Sequence, residues 1–127
     1  MRVVLPNHED RISPVLDVAR RFVLVDAAEN RELARRELRI EETALVAKAK
    51  RIKDLRPDVV ICGAISRAFD SMLASSGIRV IGNTCGPIDE VIDAFLANRL
   101  TDGTFLMPGC TGRCRRRRQR LRRGGSR

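Results

Sequence analysis

Two stretches of this chain share one pattern: an apolar run, a cysteine beside a glycine, then a helix start. They are Val59-Val60-Ile61-Cys62-Gly63-Ala64-Ile65-Ser66 and Val80-Ile81-Gly82-Asn83-Thr84-Cys85-Gly86-Pro87. Each reads as strand, tight turn, helix. Strands that alternate with helices in this way lie parallel, joined by right-handed crossovers. The pattern commits this half of the chain to a parallel α/β arrangement. It also places both cysteines at the carboxyl ends of neighbouring strands, the edge where open α/β sheets bind ligands. Helix N-termini at that edge carry unsatisfied N–H groups and about half a positive charge. Thiolates ligate soft metals. An anionic, sulfur-compatible ligand suits such an edge.

The remaining elements follow from local patterning. Arg2-Val3-Val4-Leu5-Pro6 is a first strand, expected to stop at Pro6, with a polar loop over residues 7–11 and a turn at Ser13-Pro14. Arg21-Phe22-Val23-Leu24-Val25-Asp26 is a second strand. Glu29-Asn30 is a hairpin turn into a third over residues 32–40, whose heavy charge predicts a half-exposed edge. Residues 42–55 read as a helix, with Leu45, Ala49, Ile52 and Leu55 on its inner stripe and lysines and Arg51 on the other faces. The apolar run into Cys62 is the signature of a strand covered on both faces. Ser66 caps a helix that Gly77 closes, residues 78–81 form the last strand, and Pro87 opens the last helix. The order is β-β-β-α-β-α-β-α: a mixed sheet between helices, with an antiparallel hairpin near the N-terminus.

Charge divides the chain in two. Residues 1–110 carry sixteen basic and sixteen acidic side chains, whereas from Thr111 onward there are nine arginines and no acid. The expected organisation is an α/β domain over residues 1–107 and a disordered, cysteine-containing, arginine-rich tail over residues 108–127. Aromatic residues make up only 3% of the chain, which argues against a base-stacking surface. No apolar run approaches the ~18 residues of a membrane span. The chain opens on a strand-like run, with no pattern of a secretory signal. A cytoplasmic setting, where thiols stay reduced, is expected.

The motifs in their order resemble the dinitrogenase iron–molybdenum cofactor biosynthesis family of nitrogenase accessory factors. The matching features are Arg2-Val3-Val4-Leu5-Pro6, then Ser13-Pro14-Val15 running into Phe22-Val23-Leu24-Val25-Asp26. Further on come Asp58-Val59-Val60-Ile61-Cys62-Gly63-Ala64-Ile65, then Ala74-Ser75-Ser76-Gly77-Ile78-Arg79-Val80, and finally Val91-Ile92-Asp93-Ala94-Phe95-Leu96. The resemblance covers residues 1–107. It implies a ribonuclease-H-like, three-layer α/β/α fold with a five-stranded mixed sheet. It also implies a non-enzymatic protein that carries a metal–sulfur cluster, of iron and/or molybdenum, or its precursor. The cargo's donor and acceptor proteins are the implied partners. Many relatives carry His-Phe-Gly shortly after Ser-Pro-Val. Here that stretch is Asp17-Val18-Ala19-Arg20, and the chain's one histidine, His8, falls in the first loop. A histidine ligand does not carry over.

The candidate metal ligands are therefore Cys85 and Cys62, with Cys110 and Cys114 as a thiol arm that could close over them. Cys85, at a helix start, has the position that lowers a thiol's pKa; Cys62 reads equally as a ligand or as a packed small hydrophobe. Gly63, Ser66, Arg67, Thr84 and Gly86 are the candidate cofactor-binding residues. The amides from Gly63 to Ser66 and at Gly86 are the expected donors to bridging sulfides, and Arg67 supplies positive charge. The arginine tail has a second reading, as an adaptor for nucleic acid or an acidic partner, with salt-sensitive, sequence-blind binding. Nuclease chemistry lacks converging carboxylates: the first strand has none, and Asp58 stands at the wrong end of its strand. No phosphate-binding loop with the Lys-Ser/Thr ending occurs.

Overall fold

The structure is a computed structural model that describes residues 1–100 and residue 105. Cys110, Cys114 and the arginine tail, and with them the proposed domain boundary and the adaptor reading, lie outside the described residues. The elements are β1 (Arg2–His8), β2 (Arg11–Ile12), β3 (Arg21–Ala28), β4 (Arg31–Arg39), α1 (Leu45–Asp54), β5 (Val59–Ile61), α2 (Arg67–Ala74), β6 (Arg79–Ile81) and α3 (Ile88–Leu96). A single 3-10 turn, Leu16–Val18, precedes β3.

The main sheet runs β4-β3-β1-β5-β6, with β2 paired to β1 off this path. Neighbours are antiparallel from β4 to β1 and parallel from β1 to β6. This is the mixed five-strand sheet that the patterning called for, plus a two-residue sixth strand. Alternation along each strand sends side chains to opposite faces. Val4, Phe22, Leu24 and Val60 meet Ala49, Ile52, Phe69 and Leu73, which come from α1 and α2. Val3, Leu5, Val23, Val25, Val59 and Ile61 meet Ile88, Val91 and Ile92 of α3. Two apolar layers thus flank the sheet, giving three layers in all. Each fully buried aliphatic or phenyl side chain in them is worth roughly 1.5–3 kcal/mol.

Three local expectations change. First, β1 does not stop at Pro6 but continues to His8. Its parallel pairing with β5 involves Val3 and Val4, and its pairing with β2 begins at Asn7, so Pro6 falls where the partner on that side changes. The Pro6 carbonyl still accepts from the Ser13 N–H at 3.0 Å. Second, the polar loop is a tight hairpin. Glu9 and Asp10 both take positive φ (52° and 65°), as a type I′ turn requires, and Asn7 Oδ1 accepts from the Asp10 N–H at 2.9 Å. Glu29 and Asn30 make the same turn between β3 and β4, as expected. Third, α1 begins at Leu45 rather than at residue 42. Ala44 is extended, and Glu42 hydrogen-bonds Arg51, which holds the Glu42 carboxyl below its usual range.

The amino edge of the parallel strands is pinned by Arg2. Its N–H donates to Asp58 Oδ2 at 2.8 Å, its Nε to Asp26 Oδ1 at 2.9 Å, and its Nη1 to the Leu55 carbonyl at 2.8 Å. Asp58 is thus spent on architecture.

Lys48 departs from the expected exposed lysine face of α1. It is only 2% exposed, and its Nζ donates to the carbonyls of Asp17 (2.7 Å) and Ala19 (2.9 Å). The ammonium replaces water for two carbonyls at the end of the 3-10 turn. Lys48→Met should cost about 2 kcal/mol at neutral pH, by loss of charge-assisted hydrogen bonds. Burial pushes the Lys48 pKa down, against a smaller opposing pull from Asp17. The unfolded chain therefore binds this proton more tightly than the folded one, and Lys48's contribution to stability rises as pH climbs through its folded pKa toward the ordinary lysine range. Urea melts of both chains at pH 8 and pH 10.5 should show the gap between them widening. A gap that narrows would mean that the buried ammonium is not strained by desolvation.

Candidate functional site

The carboxyl edge of β5 and β6 is built by two loops zipped together. The Cys62 N–H donates to the Ile81 carbonyl (2.9 Å), Thr84 N–H to Cys62 (3.0 Å) and Asn83 N–H to Gly63 (2.9 Å). The chain over residues 10–16 then crosses both loops. Ile12 N–H binds the Gly86 carbonyl (2.9 Å), Ile88 N–H binds the Asp10 carbonyl (2.9 Å), and Ala64 N–H binds the Pro14 carbonyl (2.7 Å). Bridges join Arg11 to Pro87 and Val15 to Ala64. The contact at Gly63 is so close that a Cβ there would lie 2.5 Å from the Pro14 carbonyl oxygen. Glycine is needed at that position for backbone approach.

This arrangement separates the two cysteines by environment. Cys62 is 0% exposed and belongs to the cluster facing α1 and α2, on the same strand face as Val60. Of the two readings left open for Cys62, the structure places it in the packed core. The run 59–62 is covered on both faces, and a side chain at its end is covered with it. Cys85 is half-buried, in the loop that enters α3. Its N–H donates to the Phe105 carbonyl at 2.7 Å.

The expected amide cradle is also partly spent. Ser66 caps α2 as the sequence indicated, its Oγ accepting from the Phe69 N–H at 3.2 Å. Its own N–H, however, donates to Asp17 Oδ1 at 2.9 Å, and that of Ala64 serves Pro14. An internal carboxylate thus stands at the N-terminus of α2. Arg67 is exposed beside it. Thr84 is 1% exposed, and its hydroxyl donates to the Gly82 carbonyl at 3.3 Å, so it braces the loop from inside. Gly86 takes φ +123° and gives its carbonyl to Ile12. At the start of α3, Asp89 is paired with Arg35 of β4. Glu32 first, then Asp89, hold that guanidinium still more firmly charged.

Among the described residues no three His, Cys, Asp or Glu side chains gather in a metal-binding group. A cleft of about 530 Å³ lies elsewhere, between the β3–β4 turn and the end of α3, lined by Asn30, Arg31, Glu32, Asp93, Leu96, Ala97 and Asn98. It holds no thiol. What the carboxyl edge offers is one half-exposed cysteine in a braced loop. Sequence reading missed Phe105 as the partner of Cys85, Asp17 at the start of α2 and Lys48 beneath it, because each acts on a residue distant in the chain.

The geometry defines a class: a mixed α/β/α domain with a cysteine-bearing loop at the carboxyl edge of its parallel strands. Within that class, the chain belongs to the dinitrogenase iron–molybdenum cofactor family, whose model matches residues 1–98. The solved structure of PH0822 is similar, at 27% identity and a TM-score of 0.73, covering 79% of this chain and 93% of that one. The apo form of the orange protein from Desulfovibrio gigas shares the fold at 20% identity and a TM-score of 0.65, covering 77% and 88%. No curated protein matches the chain. No helix among the described residues is long and apolar enough to cross a membrane.

Proposed function

We propose that this protein is a non-enzymatic, cytoplasmic carrier that holds an anionic metal–sulfur cluster, of the iron–molybdenum type or a related heterometal type, or its precursor. The family match supports cluster-related cargo. The observation that carries the site is Cys85: a half-buried cysteine on the loop after β6, at the edge where α/β sheets take ligands. Its thiolate is the proposed anchor, with Arg67, Gly63 and Gly86 around it and Thr84 holding the loop in shape. Cys62 contributes packing. Cys110 and Cys114 are proposed as further thiolates. Phe105 and Cys110 are five positions apart, a length of chain that spans at most about 18 Å. Phe105 itself is bound to Cys85, so the tether permits ligation by both ends. Cluster donor and acceptor proteins would be the partners.

The test is anaerobic incubation of the full chain with ferrous iron, molybdate and sulfide, then gel filtration and elemental analysis. Protein-bound metal near one cluster per chain is expected, with a visible sulfur-to-metal charge-transfer band. Protein that emerges colourless and metal-free from a stoichiometric mixture would overturn the proposal.

A further inference from the structure

The cleft between the β3–β4 turn and the end of α3 carries charges that the fold leaves unused. Arg31 and Asp93 stand on its walls, with the side-chain amides of Asn30 and Asn98 beside them. Among the described residues, none of these four side chains enters a hydrogen bond or an ion pair. Glu32, on the same wall, is taken by Arg35. A guanidinium and a carboxylate thus line one hollow without bridging it. The walls themselves are tied down by backbone bonds: the Ala97 N–H donates to the Asp93 carbonyl at 3.0 Å and the Asn98 N–H to the Phe95 carbonyl at 3.1 Å. The carboxyl end of α3 adds partial negative charge on the side of Asp93.

A second hollow of about 260 Å³ adjoins the first, sharing Asn30, Leu96 and Asn98 with it. Met1, Ala27 and Phe95 give it an apolar lining, with Glu29 and Arg79 also on its walls. The larger hollow, about 530 Å³, falls in the ~300–1,000 Å³ range of small-molecule pockets. A matching ligand presents an anion to Arg31, a cation to Asp93 and an apolar group to the second hollow. A carboxylate fits the paired donors of a guanidinium. An ammonium fits Asp93 and the end of the helix. One carbon bearing an ammonium, a carboxylate and an aliphatic chain satisfies all three demands.

We propose that this cleft binds a free aliphatic α-amino acid, its carboxylate on Arg31, its ammonium on Asp93 and its side chain in the adjoining hollow. The site lies at the amino edge of the parallel strands, where β1 begins beside the end of β3, and Cys85 lies at the opposite edge. It therefore does not rest on the carrier reading above.

The experiment titrates the isotope-labelled full chain, without metal, with L-leucine and follows the backbone amides by NMR. Saturable shifts at Asn30, Arg31, Ala97 and Asn98 are expected, with a Kd of about 1 mM or tighter. Isocaproate, which lacks the ammonium, and isoamylamine, which lacks the carboxylate, should each bind about tenfold more weakly, as loss of one charge-assisted hydrogen bond implies. Glycine, which lacks the aliphatic chain, should also bind more weakly. Arg31→Gln and Asp93→Asn change exposed side chains, so both variants should fold, and each should weaken L-leucine by a similar factor. No saturable shift by about 10 mM L-leucine, ten times that Kd, would overturn the proposal. So would equal binding of isocaproate or isoamylamine, or unchanged affinity in either variant. Metal loading is a separate measurement: a chain that takes up no cluster would sink the carrier reading and leave this site intact.

Discussion

Cys85→Ser is expected to lose most of the metal that the parent chain acquires under anaerobic loading, while Cys62→Ala retains it. The two thiols share a sequence context but not an environment. Cys85 is half-buried in the loop entering α3, whereas Cys62 is 0% exposed among Val60, Phe69 and Leu73. Serine at 85 keeps the loop's backbone bonds and removes only the soft ligand, so its effect reads ligation directly. A hydroxyl is a far poorer donor to iron or molybdenum–sulfur centres than a thiolate. Alanine at 62 leaves a small void in an aliphatic core and should cost about 1 kcal/mol of stability with little change in loading. Elemental analysis of the two variants beside the parent decides the matter. Equal loading at Cys85→Ser would remove that residue from the site, and loss at Cys62→Ala would mean that the core opens around its thiol when cargo binds.

Gly63→Ala should cost at least about 3 kcal/mol of stability, or fail to fold. The added carbon would sit 2.5 Å from the Pro14 carbonyl oxygen and 2.8 Å from that of Ser13. Both obstacles are backbone. Pro14 cannot retreat without surrendering its hydrogen bond from Ala64 and the bridge between Val15 and Ala64. Overpacking of a yielding side-chain core costs ~1–3 kcal/mol; a fixed carbonyl lies at or beyond the top of that range. Gly77→Ala is the control. That glycine has φ +82° with open space around it, so the methyl meets only left-handed backbone strain, ~1–2 kcal/mol. Urea denaturation of both variants ranks them. A Gly63→Ala chain no less stable than Gly77→Ala would show that residues 13 and 14 do not cover the β5 loop as closely as described.

The covering segment explains why the fold was more legible than the site. Turn residues and alternation act within a few positions of one another. Glu29-Asn30 therefore gave its hairpin, and the run 59–62 gave a strand with both faces covered. For Cys62 the local pattern left packing and ligation level; its side chain follows Val60 into the same buried cluster. Pro6 was misread as a stop because the change of partner along β1 is visible only once β2 and β5 are both in place.

The contacts around the start of α2 had no comparable local signal. Asp17 meets Ser66 across 49 positions, and Lys48 reaches Asp17 across 31. Neither pairing has a periodicity to betray it. The lysine pattern on α1 even pointed the other way, since a charged residue on a helix is ordinarily solvated.

The sequence alone determined the layered mixed sheet, the hairpins, the caps and the edge at which a ligand would sit, because apolar periodicity and turn chemistry are written in neighbouring residues. Only the tertiary structure decided that one cysteine is sealed in the core and the other half-buried in a loop. It alone also showed that an aspartate occupies the start of α2 and that a phenylalanine closes over the loop at Gly86. These outcomes depend on which distant backbone and side-chain groups pack within a few ångströms of each other, and that competition is settled only when the chain has closed on itself.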